Sequence, residues 1–205
     1  MTRPRAEALL VVDVQHYFAR PEFLRSHGVS MEAVARVQAA VGQIAGLVDD
    51  ARSMDVPIYW IQNTTRPDSP WEANRKLRGS PAAFGFDACV EGTELAEFYG
   101  VQPFGEETVV RKEKYSAFID TPLESMLRQA GADRVTVTGL TTECCVASTA
   151  NDAFQRGWDV QVPADCCASY QEDMHHAALA TIALNIGDVT VREQVAAGWC
   201  RAGGA

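Results

Sequence analysis

Short apolar runs rich in β-branched residues alternate with helical patterns along the whole chain, and this alternation constrains the fold most strongly. Several of the runs are almost continuously apolar, as is typical of strands that are covered on both faces. The six runs that predict strands span residues 8–14, 56–62, 107–111, 134–140, 159–164 and 188–193. Strands of this kind are expected in the interior of a parallel sheet.

The segments between these runs carry helical periodicity. One stripe of apolar residues within 30–54 consists of Val34, Val37, Val41, Ile44, Leu47 and Val48. Further helices are predicted over 121–131, 145–157 and 169–185, the last with Ser169 as its N-cap and Glu172 three residues on. Strands and helices in alternation predict an α/β fold, a doubly wound, mainly parallel six-stranded sheet with helices on both faces.

A chain of 205 residues that is 47% hydrophobic has the size and balance of one compact domain. We therefore predict a single domain over residues 1–205. Residues 63–106 mix polar and aromatic residues with many prolines and glycines, which predicts an elaborated loop or lid. Ligands of such folds bind outside the carboxyl ends of the strands, so we expect the active region there.

Composition excludes several classes of partner. Four of the six cysteines form adjacent pairs, which predicts reduced thiols and a cytoplasmic protein. No C-x-x-C spacing occurs and the chain has only four histidines, which argues against zinc. The net charge of −9 argues against nucleic acid and anionic membranes. The first apolar run is too short for a signal peptide or a membrane span. We therefore expect a small molecule as the partner of this protein.

Two charged residues lie at predicted strand ends. Asp13 interrupts the apolar run LLVVDV, where a carboxylate serves either in chemistry or in a turn, by hydrogen-bonding backbone amides. Lys112 follows the third strand, and by itself it is better explained as a solvated charge between Arg111 and Glu113. Because the ends of parallel strands meet at one edge of the sheet, both residues are candidates for the same site.

Adjacent cysteines, Cys144 and Cys145, begin the predicted helix after the fourth strand. Backbone N–H groups at a helix N-terminus favour a thiolate over a thiol, so one of them is a candidate nucleophile. Consecutive helical residues point about 100° apart, and the other cysteine is then expected to pack as a small apolar residue. Packing is also the expected role of Cys166 and Cys167.

Four ordered motifs make the chain similar to the isochorismatase-like cysteine hydrolases over residues 7–192. These motifs are LLVVDVQHYF at 9–18, RKEKYSAFIDTPLESML at 111–127, VTGLTTECCVASTANDAFQRGWDV at 137–160 and ADCCAS at 164–169. The resemblance implies a catalytic triad in which Asp13 matches the family's aspartate, Lys112 the lysine of K-x-x-Y-S-A-F, and Cys145 the nucleophile of G-x-x-T-x-x-C-V. This spacing selects Cys145 over Cys144.

The resemblance also implies a non-proline cis peptide between Leu140 and Thr141. In the expected chemistry, Cys145 attacks a carbonyl carbon as a thiolate, Lys112 lowers the pKa of the thiol and Asp13 takes its proton. Backbone N–H groups of Thr141 and Cys145 stabilise the oxyanion. Asp13 then protonates the leaving amine and activates the water that hydrolyses the thioester. Hydrolysis of a small amide, ureido or carbamoyl compound, with release of ammonia or an amine, is expected.

Nicotinamidases of this superfamily resemble one another in a cluster of Asp and His metal ligands after the second strand. This chain has no histidine between His27 and His175, so we expect no metal and no cofactor. Members that hydrolyse the vinyl ether of isochorismate typically lack the cysteine, so the resemblance favours an amidase. Gln62, which follows the second strand, keeps the isochorismatase-type reaction as an alternative.

The candidates for substrate binding are Gln62, Arg66, Trp71, Arg78, Tyr115 and Phe118. An arginine from the lid can hold a substrate carboxylate through two hydrogen bonds, although a solvated loop or a subunit contact explains such an arginine equally well. Aromatic residues can wall a pocket, whereas Trp60 is expected in the core and His175 on an ordinary helix face. The resemblance implies a homo-oligomer, either a dimer or a tetramer.

Two other classes of function stay open. A non-catalytic binding or scaffold domain would keep the fold, but the intact triad argues against it. A thiol redox sensor would use Cys144, Cys145, Cys166 and Cys167 and would not depend on Lys112.

Overall fold

The computed structural model describes residues 6–66 and 88–203, and the strands of this part of the chain form one parallel sheet. They are β1 (Glu7–Val12), β2 (Ile58–Asn63), β3 (Thr108–Lys112), β4 (Arg134–Leu140), β5 (Asp159–Pro163), β6 (Cys167–Ala168) and β7 (Asp188–Thr190). Their order is β3-β2-β1-β4-β5-β7, and the short β6 pairs with β4. The predicted doubly wound α/β fold with its six strands is confirmed. The additional β6 has only two residues, too few to show a pattern in the sequence.

The helices are α1 (His16–Ala19), α2 (Pro21–Ser26), α3 (Met31–Ser53), α4 (Leu123–Gln129), α5 (Ala147–Gln155), α6 (Glu172–Asn185) and α7 (Arg192–Gly203). The helices predicted from periodicity, α3 to α6, are confirmed, whereas α1, α2 and α7 are additional. The predicted cap at Ser169 is wrong, since α6 begins at Glu172. Ser169 instead accepts a hydrogen bond from the N–H of Gln171, in the turn before the helix.

Two apolar layers cover the sheet, one on each face. Consecutive strand residues enter opposite layers, as Leu9 and Leu10 of β1 do. Helices α3 and α7 contribute to the layer around Leu9, and α4, α5 and α6 to the layer around Leu10. Burying a leucine side chain contributes about 1.5–3 kcal/mol to stability, so these layers fix both the alternation and the register of the strands.

The described part of the predicted lid lies against the ends of β1 and β2. Gln15 forms an antiparallel bridge with Phe98, and its side-chain amide donates to the carbonyl oxygens of Asn63 (2.9 Å) and Ala96 (2.6 Å). Both contacts are made by a side chain that is fully buried. The predicted lid spans residues 63–106, and its central part, residues 67–87, lies outside the described residues.

Candidate active site

The three residues predicted as a triad lie at the carboxyl ends of three strands. Asp13 follows β1 directly, Lys112 is the last residue of β3, and Cys145 lies in the turn after β4. β1 and β4 are the neighbours at which the strand order reverses. The edge of the sheet beside this reversal is where doubly wound folds bind ligands, so the chain topology brings the three side chains to one place.

Lys112 connects the other two members of this group. Its Nζ atom lies 2.6 Å from Oδ2 of Asp13 and 3.4 Å from Sγ of Cys145. The same ammonium donates to the backbone carbonyl of Lys114 at 3.0 Å. The side chains of Lys112 and Asp13 are both fully buried. An ammonium has three donors, and these three contacts fix its position between the carboxylate and the sulfur.

Burial and charge oppose each other in this group. Burial disfavours the ionised carboxylate and raises the pKa of Asp13, although the positive charge of Lys112 and a hydrogen bond with Cys145 act in the other direction. Burial also disfavours the ammonium of Lys112, but its interactions with the Asp13 carboxylate and with the sulfur of Cys145 outweigh burial and raise the pKa of Lys112. The lysine therefore stays charged at neutral pH.

The pKa of the Cys145 thiol is raised, not lowered as expected from Lys112 and the helix N-terminus, and this direction favours the neutral thiol at rest. Its hydrogen bond with Cys144, its burial and the negative charge of Asp13 all raise the pKa of the Cys145 thiol, and the positive charge of Lys112 does not outweigh them. The expectation considered Lys112 and the helix N-terminus but not the compensating charge of Asp13. A base must therefore remove the thiol proton during attack, and the Asp13 carboxylate, which interacts with Cys145, is in place to do so.

A π-helical turn over Thr142–Val146 positions Cys145. The carbonyl oxygen of Thr141 accepts hydrogen bonds from the N–H groups of Cys144 (3.1 Å) and Val146 (3.2 Å), and α5 begins only at Ala147. The predicted helix start at 145 is thus two residues early. The peptide between Leu140 and Thr141 is cis, as the resemblance implies. Turns of this π type occur frequently at functional sites.

Cys144 lies beside the reactive group but does not contact Lys112 as Cys145 does. It is half-buried and packs at the edge of the apolar layer that contains Leu10. The expected packing role of Cys144 agrees with this contact. Cys166 and Cys167 are buried in the two apolar layers, and burial raises the pKa of Cys167 to about 12. Their thiols stay protonated at neutral pH, which makes them poor nucleophiles.

The predicted substrate-binding residues are in different surroundings. Tyr115 is partly exposed, and burial together with the neighbouring thiols of Cys144 and Cys145 raises the pKa of its hydroxyl. These influences indicate that Tyr115 lies near the two cysteines. Phe118 instead lies in the core, with its ring centroid 5.4 Å from that of Trp158. Trp71 and Arg78 lie outside the described residues.

Two further candidates have partners within the chain. Gln62 is buried, donates to the carbonyl oxygen of Ala96 at 3.0 Å and accepts from Arg111 at 3.4 Å. Arg66 is half exposed and forms an ion pair with Glu113. The side chains of Gln62 and Arg66 are therefore both engaged by other residues of the chain, Gln62 in the interior and Arg66 at the surface. Trp60, expected in the core, is fully buried there.

A cavity of about 440 Å³ opens beside Lys112, on the side of β3. Charged side chains of both signs line it, with Thr64 and Ile119 between them; the charged residues are Arg66, Glu91, Arg111, Lys112, Glu113, Lys114 and Asp120. Among the described candidates for substrate binding, Arg66 lines this cavity.

Two contacts around the cysteine turn are not evident from the sequence. The hydroxyl of Thr141 donates to Oε1 of Glu143 at 3.0 Å, and the hydroxyl of Thr142 lies 2.8 Å from Nδ1 of His175. His175, expected on an ordinary helix face, therefore contacts the turn that carries Cys145.

Neither membrane-spanning helices nor metal clusters occur in the described ranges. None of the helices there has the length and apolar character needed to cross a membrane. No group of three or more His, Cys, Asp or Glu side chains is arranged to hold a metal ion among the same residues.

Comparison with known proteins identifies the family. The isochorismatase domain matches residues 7–194. The chain is 33% identical over 203 residues to ureidoacrylate amidohydrolase RutB from Methylobacterium radiotolerans, with 91% of this chain and 77% of that protein covered. It is 32% identical over 190 residues to maleamate amidohydrolase from Pseudomonas putida, with 92% and 84% covered.

A solved structure agrees with this sequence similarity. The cysteine hydrolase from Pseudomonas syringae pv. phaseolicola superposes with a TM-score of 0.81 at 22% sequence identity, and the match covers 98% of this chain and 95% of that one. At this identity the likeness establishes the fold. The resemblance drawn from the four sequence motifs is thus confirmed, and the chain belongs to the isochorismatase-like hydrolase family.

Proposed function

We propose that the protein is a cysteine-dependent amidohydrolase of small amides, ureido or carbamoyl compounds. One observation carries the proposal: the Nζ atom of Lys112 lies between Oδ2 of Asp13 at 2.6 Å and Sγ of Cys145 at 3.4 Å, in a buried group. A thiol, a base and a fixed cation within hydrogen-bonding distance are the parts that nucleophilic acyl transfer requires.

The first half of the reaction forms a thioester. Asp13 accepts the thiol proton as Sγ of Cys145 attacks the carbonyl carbon, so the nucleophile is generated during attack and needs no resting thiolate. Negative charge develops on the carbonyl oxygen, where the backbone N–H groups of Thr141 and Cys145 stabilise it. Asp13 then gives its proton to the leaving nitrogen, the C–N bond breaks, and ammonia or an amine leaves.

The second half returns the enzyme to its starting state. A water molecule gives a proton to Asp13 and attacks the thioester carbonyl, and the same N–H groups stabilise the second oxyanion. The C–S bond breaks, Cys145 takes the proton back from Asp13, and the acid leaves. Lys112 stays charged throughout and keeps the carboxylate and the sulfur in place, so one carboxylate serves as base and acid in both halves.

Three findings support an amide or ureido substrate over other substrate classes. Both sequence relatives described above are named as amidohydrolases, one of ureidoacrylate and one of maleamate. Gln62, which kept the isochorismatase-type reaction as an alternative, is held by Ala96 and Arg111. The presence of Cys145 beside Lys112 also favours thioester chemistry over vinyl ether hydrolysis.

The test is a screen of small monoamides, ureido acids and carbamoyl compounds, with ammonia release followed by a coupled assay. The best substrate is then mixed with the enzyme, the reaction is quenched with acid, and intact-protein mass spectrometry detects the acyl group. We expect an adduct that maps to Cys145 and a complete loss of ammonia release in Cys145→Ala. Cys200→Ala, which alters an exposed thiol on α7, is the matched control.

Two results would contradict the proposal. One is ammonia release that persists in Cys145→Ala, and the other is an acyl group that maps to Cys144 in the wild-type protein. Cys144→Ala separates these cases, because it removes the neighbouring thiol and leaves Cys145 in contact with Lys112.

A further inference from the structure

We propose that Glu143 is a positioning residue for the oxyanion-binding backbone at Thr141. This inference rests on the proposed function, in which the N–H group of Thr141 stabilises the developing negative charge. Glu143 acts through Thr141 and does not itself touch the reacting atoms.

The contact that carries the inference joins two side chains on either side of Thr142. The hydroxyl of Thr141 donates to Oε1 of Glu143 at 3.0 Å. The carbonyl oxygen of Thr141 is already held by the N–H groups of Cys144 and Val146. Thr141 is therefore fixed at its carbonyl by the backbone of the turn and at its side chain by Glu143. Together these contacts restrict the conformation of Thr141, the residue whose N–H group serves as an oxyanion donor in the proposed mechanism.

The second oxygen of the carboxylate gives independent support. Oε2 of Glu143 is buried and has no hydrogen-bond partner among the residues that the structure describes. A buried polar atom without a partner costs about 1–3 kcal/mol of stability. Glu143 therefore contributes less to the folded state than a fully paired carboxylate would, and its contact with Thr141 is better explained by the site than by the fold.

A contact made by the adjacent residue, Thr142, holds the turn independently of Glu143. The hydroxyl of Thr142 lies 2.8 Å from Nδ1 of His175, on α6. This contact anchors the turn to a neighbouring helix. Thr141 takes no part in this contact, and its own side chain contacts Glu143. Loss of the carboxylate should therefore loosen Thr141 without unfolding the turn.

The first test compares Glu143→Ala with Glu143→Gln in the hydrolysis of the best substrate. Removing one oxyanion donor lowers kcat by about 10²–10³-fold in other enzymes, so a displaced donor is expected to lower it by roughly 10–100-fold. We expect this loss in Glu143→Ala with KM almost unchanged, and recovery in Glu143→Gln, whose amide oxygen still accepts from Thr141. A role confined to substrate binding would instead raise KM, and that result would overturn the inference.

The second test asks whether Glu143 acts through Thr141. Thr141→Val removes the hydroxyl and keeps the shape of the side chain. If the inference holds, the double variant loses no more activity than the more damaged single variant, because both substitutions break the same contact. Multiplicative losses in the double variant would contradict it. Melting temperatures accompany each measurement, and a fall in kcat that merely followed a fall in stability would also contradict it.

The third readout needs no substrate. Propionaldehyde forms a thiohemiacetal with a thiol, its oxygen occupies the oxyanion position, and it protects Cys145 from iodoacetamide. In Glu143→Ala we expect the half-protecting concentration to rise by roughly tenfold, with Glu193→Ala, an exposed change on α7, as the control. Equal protection in both variants would overturn the positioning role. A wild-type protein that showed protection but no amide hydrolysis would contradict the proposed function instead.

Discussion

Oδ2 of Asp13 lies 2.6 Å from Nζ of Lys112, and neither side chain is exposed to solvent. This buried pair cancels most of the charge that Cys145 would otherwise experience. An isolated lysine at 3.4 Å from the sulfur would favour the thiolate, whereas the carboxylate restores the thiol. The pair therefore makes Asp13 a base that acts at the moment of attack. Alkylation of the thiol and hydrolysis of a substrate are then expected to respond differently to a change at Asp13.

Replacing the members of the pair should affect activity and stability differently. Asp13→Asn keeps the shape of the side chain but removes the base, so we expect kcat/KM to fall by roughly 10²–10⁴-fold. Lys112→Met leaves a buried carboxylate without its partner, which should cost about 3–5 kcal/mol of unfolding free energy. Urea denaturation and steady-state kinetics measure both effects.

The double variant provides the control. Asp13→Asn with Lys112→Met contains no unpaired buried charge and should unfold at a higher urea concentration than Lys112→Met alone. Equal stability of these two variants would show that Asp13 and Lys112 do not form an energetically coupled pair.

Replacing Asp13 by asparagine should increase the rate at which Cys145 is alkylated, although it reduces hydrolysis. In Asp13→Asn the negative charge that raises the pKa of the thiol is gone and Lys112 remains, so the thiolate fraction should rise about tenfold for each unit by which the pKa falls. Iodoacetamide labelling near pH 6.5, followed by peptide mapping, should show faster labelling at Cys145 in Asp13→Asn and slower labelling in Lys112→Met.

The buried Cys167 is the internal reference in each sample, because its pKa of about 12 keeps it protonated. Slower labelling of Cys145 in Asp13→Asn would mean that Asp13 supplies the thiolate at rest, contrary to the neutral thiol derived above.

The pH profile of kcat/KM should report the free enzyme's Asp13. Asp13 must be ionised to accept the thiol proton, and burial raises its pKa above the ordinary value of 3.8. Activity should therefore fall as the pH falls through this raised value, at a higher pH than an exposed aspartate would give. The raised pKa of Lys112 keeps the ammonium charged beyond the ordinary value of 10.5, so the lysine should cause no loss at moderately alkaline pH. An acid limb at or below the ordinary value would contradict this assignment.

The sequence pattern predicts the fold and the triad because both depend on local features. Alternating strands and helices give the sheet, and the resemblance to the family's motifs gives Asp13, Lys112 and Cys145 as the triad. The state of Cys145 was not predictable in the same way. It depends on the balance between two opposite charges, which are 99 residues apart in the chain, at Asp13 and Lys112.

Contacts of the cysteine turn were also beyond sequence reasoning, for a geometric reason. Thr142 and His175 are separated by 33 positions and meet because α6 packs beside the turn. Thr141 and Glu143 are close in sequence, but their contact follows from the conformation of the turn, which residue type alone does not specify. Phe118, a substrate-binding candidate from its place in a family motif, is buried and packs beside Trp158, a contact that the motif alone does not indicate.

Gly139 allows β1 and β4 to approach each other closely just below the site. Its φ angle of +124° is unfavourable for other residues, and a Cβ atom there would lie 1.9 Å from the carbonyl oxygen of Val12. The clash is with backbone, so the strands must move apart to relieve it.

We expect Gly139→Ala to lower the unfolding free energy by about 3 kcal/mol and to reduce activity as well, since Asp13 directly follows Val12. Gly42→Ala, a helical glycine with open space around its Cβ position, is the matched control and should leave both quantities nearly unchanged or improved. If Gly139→Ala were as stable and active as wild type, the close packing of these two strands would not be what places Asp13 beside Lys112.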